Sequence, residues 1–289
     1  MGQEDLSQIL RLRDGRSLGY AEYGSRQGAP VFHCHSAGSS RQEHPGPADD
    51  AAADAVRLVV ADRSGHGLSS FQKGRQLLDW AADVSQLADH LGLDEFAVTG
   101  WSAGGPHALA CAYALPARVK AVAVLSGTGP RDYRGAFRGL PPGPRVLALS
   151  ARYAPWLAYQ IRRRQVKVIT GEPSAALRLF KFLPAVDHAF LDRAGVGDMI
   201  LSAIREGYRQ GARGPAQDDA VHEQNWGFDL REIRVRTDIW QGGQDLNVPR
   251  HAGEHLRTLL PAARFFFLPE EGHFSILKHW NAMITSLLE

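Results

Sequence analysis

The chain predicts an α/β architecture: a mainly parallel, twisted sheet with helices on both faces, broken by one helical insertion. Three observations carry this. From Val31 to Leu125 short β-favouring apolar runs alternate with longer stretches of helical period, the rhythm of a doubly wound sheet. From about Arg131 to Asp229 that rhythm stops, and Pro and Gly divide the stretch into helical pieces. At Thr237 it resumes and continues through the last of the 289 residues.

In order, Ile9-Leu10-Arg11-Leu12-Arg13 and Ser17-Leu18-Gly19-Tyr20-Ala21-Glu22-Tyr23 alternate apolar and polar about Asp14-Gly15, a β-hairpin signal. Val31-Phe32-His33-Cys34-His35 is a compact run that reads as a buried strand, and it empties into the small-residue loop Ser36-Ala37-Gly38-Ser39-Ser40. A helix is expected around Gln42–Ala53. Val56–Ala61 predicts a second buried strand, followed by the turn-rich Asp62-Arg63-Ser64-Gly65-His66-Gly67-Leu68-Ser69. Leu77–Leu91 spaces its apolar residues for one helix face, with Asp79, Asp83 and Asp89 off that face. Further strands are predicted at Phe96–Gly100, Val119–Leu125, Thr237–Gln241 and Arg264–Leu268, and helices at Ala103–Ala114, Arg250–Leu260 and Phe274–Leu288. Ligands of such sheets lie beyond the carboxyl ends of the strands, so loops 36–40, 62–69 and 100–104 should converge.

A hydrophobic content of 44% allows a large core. The formal charge of +2, from 33 basic and 31 acidic residues, lacks the basic excess of a nucleic-acid binder. Met1-Gly2-Gln3-Glu4-Asp5 is polar with no apolar run behind it, so no signal peptide is expected, and no apolar run is long enough to cross a bilayer. The two cysteines, Cys34 and Cys111, read as buried apolar residues rather than a disulfide framework. A soluble, cytoplasmic protein is expected, with a small-molecule substrate and neither nucleic acid nor membrane as partner; oligomeric state is left open. Within the insertion, Arg162-Arg163-Arg164 with Lys167 reads as a solvated helix face, the alternative being a landing site for an anionic carrier. Its aromatic residues, Tyr133, Phe137, Tyr153, Trp156, Tyr159, Phe180, Phe182 and Phe190, form either an apolar pocket wall or the insertion's own core.

The chemistry centres on Gly100-Trp101-Ser102-Ala103-Gly104, set between a strand and an alanine-rich helix. With 30 glycines in the chain the G-x-S-x-G pattern alone is weak; its strand–turn–helix setting makes it specific. A serine lifted on such a turn takes a strained backbone, and side chains two residues either side would collide with neighbouring elements. The helix start offers the Ala103 N–H to an oxyanion. Serine needs a base, and the base an orienting acid. His273, in Gly272-His273-Phe274, and Asp245, in Gly242-Gly243-Gln244-Asp245, both follow late strands and share the Ser102 rim. Among rivals, His107 points away on the nucleophile helix, His66 lies on a loop before the serine, and Asp238 falls inside a strand. His33 and His35 share a strand face but offer no third or fourth ligand at a metal-binding spacing, so no metal is expected.

Gly100-Trp101-Ser102-Ala103-Gly104-Gly105, Asp62-Arg63-Ser64-Gly65-His66-Gly67-Leu68-Ser69, Gly242-Gly243-Gln244-Asp245 with Val248-Pro249, and Gly272-His273 together resemble the α/β-hydrolase superfamily, in its capped esterase-like and proline-iminopeptidase-like branch. The resemblance covers nearly the whole chain. It implies an α/β-hydrolase fold with a core at residues 1–130 and 230–289 and a helical cap at 131–229. It also implies Ser102 as nucleophile, His273 as base, Asp245 as acid, an oxyanion hole from Ala37 and Ala103, and no cofactor. Ser36 and Trp101 are expected at the substrate. One departure stands out. His35-Ser36-Ala37-Gly38 puts serine where the family carries glycine, and Ser64 stands where such loops carry proline.

The leading expectation is an acyl hydrolase for esters, lactones, thioesters or small amides. The Ser36 departure motivates a second, a lyase, cyclase or acyltransferase of specialised metabolism. A cofactor-free haloperoxidase and a non-catalytic ligand receptor complete the set.

Overall fold

The structure, a computed structural model, describes residues 7–44, 55–171 and 182–289. Eight strands pair into one sheet: β1 (Gln8–Arg11), β2 (Ser17–Gly24), β3 (Ala29–Cys34), β4 (Val56–Ala61), β5 (Phe96–Trp101), β6 (Val119–Leu125), β7 (Arg236–Gly242) and β8 (Ala263–Leu268). Their spatial order is β1-β2-β4-β3-β5-β6-β7-β8. The hairpin forms as expected about Asp14-Gly15, with Leu10 opposite Leu18, and β2 runs antiparallel to β4. The remaining pairings are parallel. The chain steps from β3 to β4 on one side and then to β5 on the other, so the strand order reverses between β3 and β5. An open α/β sheet leaves a crevice at the carboxyl ends of such a pair.

Nine α-helices are described: α1 (Leu77–Leu91), α2 (Gly105–Ala114), α3 (Pro142–Tyr153), α4 (Pro155–Ile169), α5 (Ala185–Leu191), α6 (Val196–Gly207), α7 (Arg213–Glu223), α8 (Arg250–Leu259) and α9 (Trp280–Leu288). Successive strand residues point to opposite faces, so the apolar runs feed two buried layers. Phe32, Val59 and Val98 pack with Trp80, Leu87 and Leu109 of α1 and α2 and Leu256 of α8. Val31, Val60 and Ala97 pack with Trp280, Met283 and Leu287 of α9. Helix α1 is bounded by a Gln76 N–H to Asp79 bond of 2.7 Å at its start and by Gly92, in the left-handed region, at its end. Asp83 is not a solvated residue of α1: it is buried and takes the Arg16 guanidinium of the hairpin at 2.6 and 2.9 Å. Of the helix expected around Gln42–Ala53, Gln42 to His44 are not helical and the rest lies outside the described residues.

Between β6 and β7 the described residues hold helices and no strand. Pro142 and Pro155 open α3 and α4, while Pro184 and Gly195 immediately precede α5 and α6. Proline at a first helical position costs nothing, since that N–H has no intrahelical acceptor. Helices α3, α4 and α7 pack on one another. Phe190 of α5 and Ile200 of α6 join the buried layer under α9. The basic run divides: Arg162 is buried, forking onto Asp219 at 2.7 Å with both nitrogens and reaching the Tyr208 hydroxyl at 3.0 Å, while Arg163, Arg164 and Lys167 are exposed. The aromatic residues make no single wall. Tyr153, Trp156 and Phe182 are largely exposed, Phe190 is core, and Phe180 lies outside the described residues. No described helix is long and apolar enough to cross a membrane.

Candidate active site

Strand β5 delivers Ser102 to the top of the sheet with φ +55, and a short 3-10 turn, Ser102–Gly104, separates it from α2. A left-handed backbone at a non-glycine residue is strained, and among the described residues only Ser102 and Ser126, at the ends of neighbouring strands β5 and β6, adopt it. The flanking glycines are obligatory for contact reasons. A Cβ on Gly100 would sit 2.6 Å from the Gly104 carbonyl carbon, and one on Gly104 would overlap the Cys34 carbonyl. That last contact presses the turn against the end of β3.

Loops after β7 and β8 bring two more side chains to this rim. His273 Nε2 lies 3.0 Å from Ser102 Oγ, and His273 Nδ1 lies 2.8 Å from Asp245 Oδ2. The second Asp245 oxygen accepts the N–H groups of Asn247 and Val248, both at 2.8 Å, which fixes the carboxylate. All three side chains are buried. Burial opposes protonation of His273, but the charge and hydrogen bond of Asp245, with lesser help from Asp187 and Glu43, outweigh it and raise its pKa above the ordinary imidazole value. Asp238 is elsewhere, inside β7 and forked onto Arg264 at 2.6 Å.

The α/β hydrolase fold family matches residues 29–163. A pimeloyl-[acyl-carrier protein] methyl ester esterase of Aromatoleum aromaticum is 30% identical over 195 residues, covering 64% of this chain and 70% of that protein. The chain belongs to the α/β-hydrolase superfamily. The dihydrolipoyllysine-residue acetyltransferase component of the acetoin cleaving system of Pseudomonas putida is 27% identical over 271 residues, 90% of this chain; the chain spans 62% of that relative's length. A hydrolase from Pseudomonas aeruginosa shares the fold, with a TM-score of 0.69 at 23% identity over 99% of this chain and 98% of that one.

In this α/β-hydrolase the loop after β3 is held from behind. The Ser36 carbonyl accepts from His35 Nδ1 at 2.9 Å and Arg63 Nη2 at 3.0 Å, and Arg63 Nη1 reaches the His35 carbonyl. His35 Nε2 accepts the Arg63 N–H at 3.2 Å, so the imidazole is neutral with its proton on Nδ1; burial and the nearby Arg63 charge push its pKa well down. A trans peptide sets the next N–H opposite its carbonyl, so the Ala37 N–H faces away from Arg63. Ala37 is exposed, and its N–H has no acceptor among the described residues. The Ala103 N–H, in the first turn after the elbow, has no intrahelical acceptor either.

Two residues expected at the substrate are placed differently. The Ser36 hydroxyl donates to Glu43 Oε2 at 2.5 Å, and its N–H to Glu43 Oε1 at 2.7 Å. Glu43 is buried and also meets His33 Nε2 at 3.1 Å, with Thr99 on the other imidazole nitrogen at 2.8 Å. The serine is thus partner to a buried carboxylate that a glycine could not satisfy through a side chain. Trp101 is 1% exposed; its Nε1 donates to the His273 carbonyl at 3.0 Å and its ring packs on those of His273 and Phe274. It is a strut under the histidine, not a wall of the site.

His66 and His107, the rival histidines, are fully buried. His107 meets Ala103 O at 3.1 Å, and His66 lies beside Asp218 of α7. Asp218 takes Arg63 Nε at 2.7 Å and also contacts Arg75, so an inserted helix reaches the arginine that holds the loop after β3. His33 and His35 have separate partners, and no group of three or more His, Cys, Asp or Glu among the described residues is arranged to hold a metal ion. Glu43, Asp187 and Asp218 carried no sequence signal; Arg63 stood in a recognised motif without a role. Away from this rim, a cleft of about 960 Å³ lies where the insertion leaves and rejoins the core, lined by Arg131, Tyr133, Glu223 and Trp226. Burial raises the Glu223 carboxyl to about 7 although Arg131 lies 3.2 Å away.

Proposed function

We propose that this chain is a serine hydrolase that cleaves an ester, lactone, thioester or small amide of a mainly apolar small molecule through an acyl-enzyme. The observation that carries the reading is the unbroken line Ser102 Oγ–His273–Asp245, at 3.0 and 2.8 Å, with every member buried. Ser102 Oγ attacks the acyl carbonyl as its proton passes to His273 Nε2. Asp245 holds the Nδ1–H tautomer and faces the imidazolium that forms. The N–H groups of Ala37 and Ala103 receive the oxyanion, each such donor contributing about 3–4 kcal/mol to the transition state. The bond to the leaving group then breaks, and the leaving group takes the proton from His273. Water attacks the acyl carbon, His273 accepts its proton, and Ser102 departs with it. This route calls for no cofactor.

In this reading residues 1–130 and 230–289 are the catalytic core and 131–229 the cap. Half-buried Leu183, Val196 and Met199 of the insertion lie against the layer containing Phe274, which suits an apolar acyl or alkyl group. The Aromatoleum relative is an ester-cleaving enzyme by name, and the hydrogen bond of Ser36 to Glu43 gives that serine a structural role, which favours the hydrolytic reading over a redirected site. Two buried free thiols suit a reducing cytoplasm.

A fluorophosphonate probe should label Ser102, and Ser102→Ala should abolish the label and lower ester turnover by about 10⁶. Labelling that survives the substitution overturns the reading. Incubation with an ester panel should release free acid; acyl groups moved instead to an added thiol or alcohol would mark the enzyme as an acyltransferase.

A further inference from the structure

The loop that carries His273 is fastened by a residue from the insertion. Asp187, in the first turn of α5, is completely buried and accepts three consecutive backbone N–H groups: His273 at 3.0 Å on Oδ2, and Phe274 and Ser275 at 2.9 and 2.8 Å on Oδ1. These are the N–H groups at the start of the 3-10 turn Ser275–His279, which have no acceptor within it. The carboxylate lies so close to Gly272 that a Cβ there would stand 2.6 Å from the Asp187 carboxyl carbon. Gly272 has no left-handed φ; it is small because a carboxylate occupies the space.

His273 is thereby held on every side. Its N–H goes to Asp187, its carbonyl accepts Trp101 Nε1, its ring packs on Trp101, Nδ1 meets Asp245 and Nε2 meets Ser102. A catalytic imidazole must keep both its direction and its tautomer, and a misplacement of about 1 Å costs about 10²-fold in rate. Hydrogen bonds to a charged acceptor are stronger than neutral ones, and three of them converge on this carboxylate, which suits a clamp that must not drift. The second consequence is electrostatic. When Ser102 Oγ loses its proton to Nε2, His273 becomes cationic, and a fixed negative charge on its own backbone amide favours that state.

We propose that Asp187 is a positioning residue for the reaction at Ser102: its carboxylate clamps the His273 backbone and its charge stabilises the imidazolium. This rests on the serine-hydrolase reading. The inserted helices therefore complete the site from behind.

The test is steady-state hydrolysis of p-nitrophenyl butyrate from pH 5 to 9 by wild type, Asp187→Asn, Asp187→Ala, Gly272→Ala and the double variant Asp187→Ala with Gly272→Ala, with thermal melting of each. Asparagine has one acceptor oxygen and turns an NH₂ toward one of the three donors. Asp187→Asn should lower kcat about ten- to a hundredfold with KM within about threefold. It should also shift the acid limb of kcat/KM to lower pH by about half a unit to one unit, because His273 then protonates less readily. Gly272→Ala displaces the carboxylate without deleting it, so it should lower kcat in the wild type and cost little more in an Asp187→Ala background. An acid limb that stays in place while only the melting temperature falls would reduce Asp187 to a structural tie. Equal costs of Gly272→Ala in both backgrounds would also overturn the proposal. Failure of the serine reading shows separately, as fluorophosphonate labelling that persists in Ser102→Ala.

Discussion

The rim of the sheet and the inserted helices contribute to the site in different ways. From the rim come the side chains of the proposed triad: Ser102 after β5, Asp245 after β7 and His273 after β8, joined at 3.0 and 2.8 Å. From the insertion come carboxylates that face backbone or a buried arginine. Asp187 holds three N–H groups of the histidine loop, and Asp218 holds Arg63, which in turn holds two carbonyls of the loop after β3. The contrast is one of chemistry against orientation. A rim substitution should remove a reacting group, whereas an insertion substitution should loosen the frame that aims it.

The sharpest contrast lies between two aspartates of β7 and its loop. Asp245→Asn should slow turnover by up to about 10⁴ while leaving the fold intact, because the amide cannot hold the His273 tautomer. Asp238→Asn should instead leave turnover near wild type and lower the melting temperature, since Arg264 loses its bidentate partner. Comparative kinetics and melting of the two variants decide this; a reversed pattern would assign the acid to Asp238. A step down in size, Arg63→Lys should lower kcat by about ten- to a hundredfold with little change in KM. A lysine cannot grip both the His35 and Ser36 carbonyls, and the Ala37 N–H is then no longer fixed toward the oxyanion. Parallel loss of kcat and melting temperature without kinetic selectivity would erase the distinction between frame and chemistry. The smallest effect is expected at Ser36→Ala. The variant leaves Glu43 short of one donor, costing about 1–3 kcal/mol of stability, while turnover of an activated ester stays close to wild type. A tenfold loss of turnover in this variant would return Ser36 to the reacting centre.

What the sequence made legible follows the same division. Val56–Ala61 and Leu77–Leu91 appear with their expected bounds because apolar continuity and helical period are both local properties. The elements that changed lie at the site. The helix expected from Ala103 begins as a 3-10 turn under the strained Ser102, and the one expected from Phe274 also begins with a 3-10 turn, whose first N–H groups are taken by Asp187. Ser102, Asp245 and His273 were readable because each follows a strand in a recognisable turn. Asp187 was not, since its partners lie 86 to 88 residues further along the chain and its helix belongs to a region without sheet rhythm. Glu43 was concealed by a helical pattern, although its partner Ser36 was conspicuous. Gly272 has no positive φ to explain it; what it provides is room for the Asp187 carboxylate, which lies far away in sequence.

The two cysteines sit on the two segments that flank the Ser102 turn, in a way that bears on how the protein breathes. Cys34 is the last residue of β3, directly before the loop of Ser36 and Ala37, and Cys111 sits on α2, the helix that leaves Ser102; both are free and buried, and the Trp80 indole N–H rests on Cys34 Sγ at 3.3 Å. A thiol reagent cannot reach either sulfur from outside the closed molecule, so the rate of thiol blocking is a clock for opening of the segments that hold the elbow together. Occupancy of the site stabilises the closed form by mass action and should slow that clock in proportion. The chain thus carries its own native reporter of elbow opening, with no label to introduce.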